Sequence, residues 1–447
     1  MRKLTRKWQM FLYAMGGMGV NMLNLMVGSY LCSALIASGF GEDAVANQTF
    51  LGRDLVIAGV WAVFGVIAKI VDGVIDIPMA SLTDNLKTRF GRRRPALIIG
   101  LIPMILAYVF FTIVTPNPLG ATLLNTIYYG ILLCLFYSFY TLTMVTYYAT
   151  FTEIVETHEE RNFMSNVKSV CDIVYFILGY VVVRMLLNGM NIRIVAMIVL
   201  PIVLTMLIPL FLIKERSTKD GIIEDGETGE TYQTVNLFKS IAYTFKNKSY
   251  ILWMIVYSFM TFGVQLFLSG INEYFSVSGM SMIFVMMASF APVPLTLLLY
   301  NYFTRKYGFG FSFRYILCIF AVGMLGMFFV SMLPAGTLKT VLSIVMGVIS
   351  SFGIGAMFSV AYSIPSELAA EEEKKTGISN AAMYFAVQGL FAGIASGIGG
   401  TAVLTLLKTK DIVRYMTPIC AIAMAVAFLL CFLLPKSVRN MGKKSKK

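Results

Sequence analysis

"AKIVDGVIDIPMASLTDNLKTRFGRRRPALIIG", residues 68–100, decides the fold. The stretch is apolar enough to lie in lipid, yet Lys69, Asp72 and Asp76 are embedded in it, and Arg92, Arg93 and Arg94 follow at once. An ionised side chain at the centre of a bilayer costs about 2.5–3.5 kcal/mol even on the lenient insertion scale. A helix carrying three of them must turn them toward water or toward partners. At helical spacing Lys69, Asp72 and Asp76 share one face. Asp72 precedes Asp84 by twelve residues, roughly 18 Å of helix at 1.5 Å per residue. With Asp84 at the interface, Asp72 falls near the bilayer midplane.

The rest of the chain is of the same kind. It has 447 residues, 58% of them hydrophobic and only 13% charged, with a mean hydropathy of +0.77. A soluble protein of that composition would expose apolar surface nearly everywhere, so the class is a polytopic membrane protein. The net charge of +13 is spread in short clusters between apolar runs, where it orients helices and does not point to nucleic acid. The six cysteines lie in apolar runs with no CxxC spacing, and His158 is the single histidine. Neither disulfides nor a metal centre follow, and no cofactor is expected. The first apolar run is too long for a signal-peptide core and reads as a retained span.

A span needs about 20 apolar residues. Twelve candidates follow, at 10–38, 55–82, 96–114, 121–150, 166–187, 193–213, 250–275, 281–303, 314–333, 338–364, 379–407 and 415–434. The longest interruption, the polar stretch 214–236, separates six from six. The expected organisation is an N-terminal half over 1–213, a cytoplasmic linker over 214–249, a C-terminal half over 250–435 and a basic tail over 436–447. Lysine and arginine crowd the two termini, the turn after the second span, the central loop and the turn after the eighth. The opposite loops carry only Arg53, Arg193, Lys339, Lys408, Lys410 and Arg414. The excess of cations puts both termini in the cytoplasm. An internal echo joins the halves, because "TRFGRRR" (88–94) follows span two and "TRKYGFG" (304–310) follows span eight. Two parallel six-helix repeats are the plan of a major facilitator.

"LTDNLKTRFGRRRP" resembles the loop 2–3 signature of the major facilitator superfamily. The longer "KIVDGVIDIPMASLTDNLKTRFGRRRP" resembles the second helix of the melibiose-permease-like glycoside–pentoside–hexuronide:cation symporters. "VTYYATFTEI" (145–154), "EERNFMSNVKS" (159–169) and the helix 10–11 region from Ile364 resemble further segments of that family, in order along the chain. The resemblance implies a twelve-helix transporter, not an enzyme, that moves a sugar or glycoside with a cation by alternating access. Three positions depart from the family. Met144 stands near its helix-four acid, Gly393 near its helix-eleven lysine, and Lys168 in place of its arginine.

Asp72 and Asp76 are the expected cation-coupling pair, with Lys69 as resident counter-ion; the bland alternative is a structural Lys69–Asp72 pair. Lys168 and Asp172 repeat the i,i+4 geometry at the start of helix five. By resemblance, Lys168 holds a substrate hydroxyl or the coupling acid. Asn21, Tyr147, Tyr148, Gln265, Asn272 and Gln388 supply the aromatic faces and amides that a sugar needs, although helix packing accounts for such residues equally well. Asp84, Arg89, Arg92 and Arg93 at the basic turn, with Glu153 and Arg161 of the family-like segments, are the expected gating groups. The glycines Gly389, Gly393 and Gly397 give helix eleven a face for close packing.

No GxxxxGK[ST] loop for a pump is present, and midplane acids in a pseudo-repeat favour alternating access over a channel. The rival substrate class is an amphiphile such as a lysolipid, imported or exported, and the rival mode is an uncoupled uniporter. A proton is the favoured coupling ion and sodium the alternative, since sodium takes several oxygen ligands whereas a proton needs one carboxylate. The expected setting is a multi-pass protein of a bacterial inner membrane, monomeric, whose partners are the bilayer and a small-molecule substrate.

Overall fold

The computed structural model describes residues 6–154, 158–215, 217, 247–376 and 381–440. All regular structure among them is helical. The spans are α1 (Lys7–Leu35), α2 (Ala58–Asn85), α3 (Arg93–Ile113), α4 (Leu123–Glu153) and α5 (His158–Ile177, continued to Leu187). They continue as α6 (Ile192–Leu212) and α7 (Lys248–Ser269). The eighth is a broken pair, α8a (Met282–Phe290) and α8b (Val293–Tyr307). The last four are α9 (Phe309–Ser331), α10 (Thr337–Thr376), α11 (Ala381–Gly397, continued to Thr409) and α12 (Met416–Leu430). Eleven helices among the described residues are long and apolar enough to cross a membrane. The shortfall from twelve is the broken eighth.

That break corrects the expectation of one continuous helix over 281–303. Pro292 caps α8b and Pro294 lies in its first turn. Two prolines separated by one residue remove two helix N–H donors in succession, and proline is favoured where a helix restarts. Single prolines do not have this effect here, since α2 runs through Pro78 and α3 through Pro103. A second correction concerns α10. Its 40 residues make a rod of about 60 Å, longer than a bilayer is thick. The helix runs past the expected end of the span at 364 and takes in Glu371–Glu373.

The chain forms two compact units. One takes the chain up to Ala37 and from Val45 through α6; the other takes Ser38–Ala44 and everything from α7 onward. In the first unit α4 packs on α2 and α3, and α1 on α5 and α6. In the second α10 packs on both pieces of α8 and on α9, and α7 on α11 and α12. Each neighbour pair recurs six helices later, so the repeat heard faintly in the sequence is a repeat of packing. Local devices recur too. Gly91 (φ 87°) and Gly308 (φ 90°) occupy the left-handed region in the two basic turns, a conformation that other residues rarely adopt. α5 and α11 each carry a π turn, at Leu178–Val182 and Ile398–Val403. In α5 the wide turn lets a neighbour in, and the Tyr30 hydroxyl donates to the Gly179 carbonyl at 2.7 Å.

Of the expected linker 214–249, only residues 214, 215, 217 and 247–249 lie within the described residues.

Candidate functional site

α4 is the spine of the site in the first unit. Near its middle, Tyr137 and Thr141 stand one turn apart and face α2. The Thr141 hydroxyl donates to Asp72 Oδ1 at 2.9 Å. Lys69 Nζ lies 3.5 Å from Asp72 Oδ2 and 3.7 Å from the centre of the Tyr137 ring. The ammonium is thus held between a carboxylate and an aromatic face, the arrangement that stabilises a cation with little water. The Lys69 and Asp72 side chains keep 18% and 25% of their surface exposed, so the pair is neither sealed nor fully solvated. A carboxylate offers about four acceptor positions. Among the described residues Thr141 and Lys69 engage one oxygen each, which leaves acceptor capacity on Asp72.

Thr141 had not been picked out. The resemblance puts a helix-four acid near Met144, which is buried, whereas the α4 contact to Asp72 comes from three residues earlier, one turn away. A threonine in an apolar helix normally satisfies itself on the preceding turn, as Thr143, Thr146 and Thr150 do here. Nothing in the sequence distinguishes Thr141 from these.

The second pair lies along the same spine. Lys168 Nζ is 2.6 Å from Asp172 Oδ2, with side-chain exposures of 23% and 32%, and 5.3 Å from the centre of the Tyr148 ring. Asn21 of α1 accepts from the Tyr140 hydroxyl at 3.1 Å. Asn21, Tyr148, Lys168 and Asp172 are therefore carried by α1, α4 and α5 of one unit. Tyr147 has a different role. It is fully buried, stacks on Tyr13 with ring centres 5.1 Å apart, and donates to the carbonyls of Tyr13 and Ala14. In return the Tyr13 hydroxyl donates to the Tyr147 carbonyl. This is a clamp between α1 and α4.

The three remaining amides belong to the second unit. Gln265 donates to Ser269 within α7. Gln388 accepts from the Trp253 indole at 3.1 Å and ties α11 to α7. Asn272 is buried in the short helix Ile271–Ser278. α11 approaches α7 closely at Gly399, where a Cβ would fall 2.5 Å from the Phe262 carbonyl oxygen.

At the basic turn, Arg93 is buried and its guanidinium donates to Thr83. The backbone N–H groups of Arg93 and Arg94 both donate to Glu215 Oε2, at 2.7 and 3.4 Å. A carboxylate on the first free N–H groups of a helix satisfies them and complements the helix dipole. Glu215 thereby staples the chain just past α6 to the start of α3. Arg89 lies over the Phe90 ring, and Arg92 is partly buried. The side chains of Asp76, Asp84, Glu153 and Arg161 lie outside the described ones.

The sequence also gave no hint of a charge pair deep in the second unit. Lys408 Nζ lies 2.7 Å from Glu273 Oε1, with 2% and 0% of the side chains exposed. The run lengths put Lys408 among the loop cations. It stands instead inside the last turns of α11, beneath the ring of Phe40 at 4.5 Å. Other cations of those loops are also fastened. Lys339 donates to the carbonyls of Ser331 and Leu333, and Arg193 donates to Thr115 and lies over Phe50.

A sequence profile described as MFS/sugar transport protein matches residues 12–435. The chain belongs to this family. No curated protein sequence matches it, but solved transporters share its fold. A variant of the nucleoside transporter NupG superposes with a TM-score of 0.66 at 13% identity, covering 96% of this chain and 100% of that one. The xylose transporter XylE from E. coli, inward open, gives 0.62 at 16%, covering 97% and 98%. A bacterial homologue of the human lysosomal transporter Spinster gives 0.61 at 11%, covering 99% and 98%. The protein is a multi-pass membrane transporter of the major facilitator superfamily with the twelve-helix, two-half layout. Members of this family take small-molecule substrates within the membrane.

Proposed function

We propose that this transporter is a cation-coupled symporter of a sugar or glycoside, working by alternating access, with Asp72 as the coupling group. The observation that carries the reading is the state of Asp72. It is a carboxylate on a membrane-spanning helix, partly exposed, with one hydroxyl donor and a lysine 3.5 Å away. A charge kept in such a place without full pairing is a functional group by default. Binding a cation there releases Lys69 from its counter-ion role, and loss of the cation restores the pair. Charge neutrality of the face is thereby linked to occupancy, which is what coupling requires. Asp76 lies one turn further along the same helix, as the second acid.

Lys168, Asp172, Asn21 and Tyr148 form the sugar-facing group, since they set an aromatic face beside charged and amide hydrogen-bonding groups. The proton is the favoured ion. The α4 partner of Asp72 is a hydroxyl and not a third acid, so the oxygen cage that sodium wants is thinner. Both termini are assigned to the cytoplasm by the cation excess, in a bacterial inner membrane, with the monomer as the working unit. The test is uptake of a panel of radiolabelled sugars and glycosides into proteoliposomes under an imposed pH gradient without sodium, against a sodium gradient at constant pH. Accumulation under the pH gradient is expected. Accumulation under sodium alone reassigns the ion. Accumulation under neither, with counterflow intact, identifies a uniporter or an exchanger.

A further inference from the structure

The first unit carries an open apolar groove of about 320 Å³ between the start of α3 and the end of α6. Its walls include Phe90, Ile98, Ile99, Leu210 and Phe211, and Arg94 stands among them. Phe211 is 71% exposed and Phe90 53%, so the groove lies on the outer surface of the unit. Ile98 and Ile99 are four and five residues past Arg94, which takes the groove roughly 6–8 Å along the helix from the charge. One end is therefore cationic and the other purely hydrocarbon.

We propose that this groove binds an anionic phospholipid, with the headgroup phosphate on Arg94 and the upper part of an acyl chain along Ile98, Ile99 and Phe211. The volume falls at the low end of small-molecule sites, about 300–1,000 Å³, which suits a chain segment. The charge is complementary as well as present. The Arg94 backbone N–H is taken by Glu215, but no acid among the described residues pairs with its guanidinium. Lys87, Arg89 and Arg92 stand in the same turn, and clustered cations beside a span draw anionic headgroups.

The second unit shows what the same place looks like when it is filled from within. There the arginine near the start of α9, Arg314, donates to the Gly310 carbonyl at 2.8 Å. Its guanidinium lies 4.2 Å from the centre of the Phe432 ring, just past α12. Its cation already has partners. The Arg94 guanidinium, at the corresponding junction of α3 and α6, has no such partner among the described residues.

The test titrates the purified full-length chain in detergent with phosphatidylglycerol and with phosphatidylcholine of identical acyl chains, and reads bound lipid by native mass spectrometry. Wild type should prefer phosphatidylglycerol. Arg94→Gln should lose roughly fivefold in that preference, Arg94→Lys should keep most of it, and Arg314→Gln should leave it unchanged. An equal hold on both lipids by wild type, an unaltered preference in Arg94→Gln, or an equal loss in Arg314→Gln overturns the assignment. So does displacement of the lipid by soluble glycerol phosphate, which has the headgroup chemistry without the chain.

Discussion

Lys69–Asp72 in the first unit and Lys408–Glu273 in the second are ion pairs of opposite kinds. Lys69 and Asp72 sit 3.5 Å apart on one helix, partly exposed. Lys408 and Glu273 sit 2.7 Å apart on two separate elements and are sealed from solvent. A tight buried pair can be replaced by apolar groups, but breaking it is costly because one charge is left stranded in a medium that cannot solvate it. A loose, partly hydrated pair contributes little to stability and exchanges partners cheaply. The first unit thus holds a loose pair open to solvent, and the second holds a tight pair sealed from it.

The helices that carry these pairs sharpen the contrast. α2 and α8 occupy the same place in their units and end in matching turns, each with a glycine in the left-handed region. α2 is unbroken and bears Lys69, Asp72 and Asp76. α8 is split at Pro292 and bears no ionisable acid or base before Arg305. The repeat preserved the packing and the turn, while the charges within this helix are present in α2 and missing from the corresponding stretch of α8.

The largest effect should come from the sealed pair. Glu273→Gln or Lys408→Met alone should destabilise the protein by about 3–5 kcal/mol, seen as a sharp fall in thermal stability in detergent. The double variant Glu273→Leu/Lys408→Met should recover most of it. Single variants as stable as wild type would put the pair in contact with water and dissolve the contrast. The open pair should behave oppositely. Lys69→Met should cost no more than about 1 kcal/mol in the same assay while changing the ion dependence of uptake. A loss as large as that of Lys408→Met would make Lys69 a structural lysine.

Much of this plan was legible along the chain. Apolar run length marked the spans, the two basic turns with a glycine marked the repeat, and helical spacing alone paired Lys69 with Asp72 and Lys168 with Asp172. Pairs that a single helix makes are visible because helix geometry is fixed. Lys408 and Glu273 are 135 residues apart, and no local rule connects them. Thr141 was hidden for a different reason. Its neighbours of the same type bond their own helix, and only the packing of α4 on α2 turns this one outward to Asp72. Tyr147 was misleading in the opposite sense, because a tyrosine in a span carries the same letter whether its hydroxyl waits for a sugar or closes on Tyr13 and Ala14. The break in α8 was written in Pro292 and Pro294, but continuous helices through Pro78 and Pro103 show that one proline does not decide the matter.

The account turns on Asp72 as an exchangeable charge. The most direct measurement compares wild type with Asp72→Asn in proteoliposomes, following a radiolabelled glycoside that wild type transports in two modes: accumulation under an imposed pH gradient, and counterflow with no gradient. Asn keeps the size of the side chain and can still accept from Thr141, but it cannot take up or release a proton. The variant should lose accumulation altogether and retain counterflow. Accumulation by Asp72→Asn at the wild-type level would contradict the account.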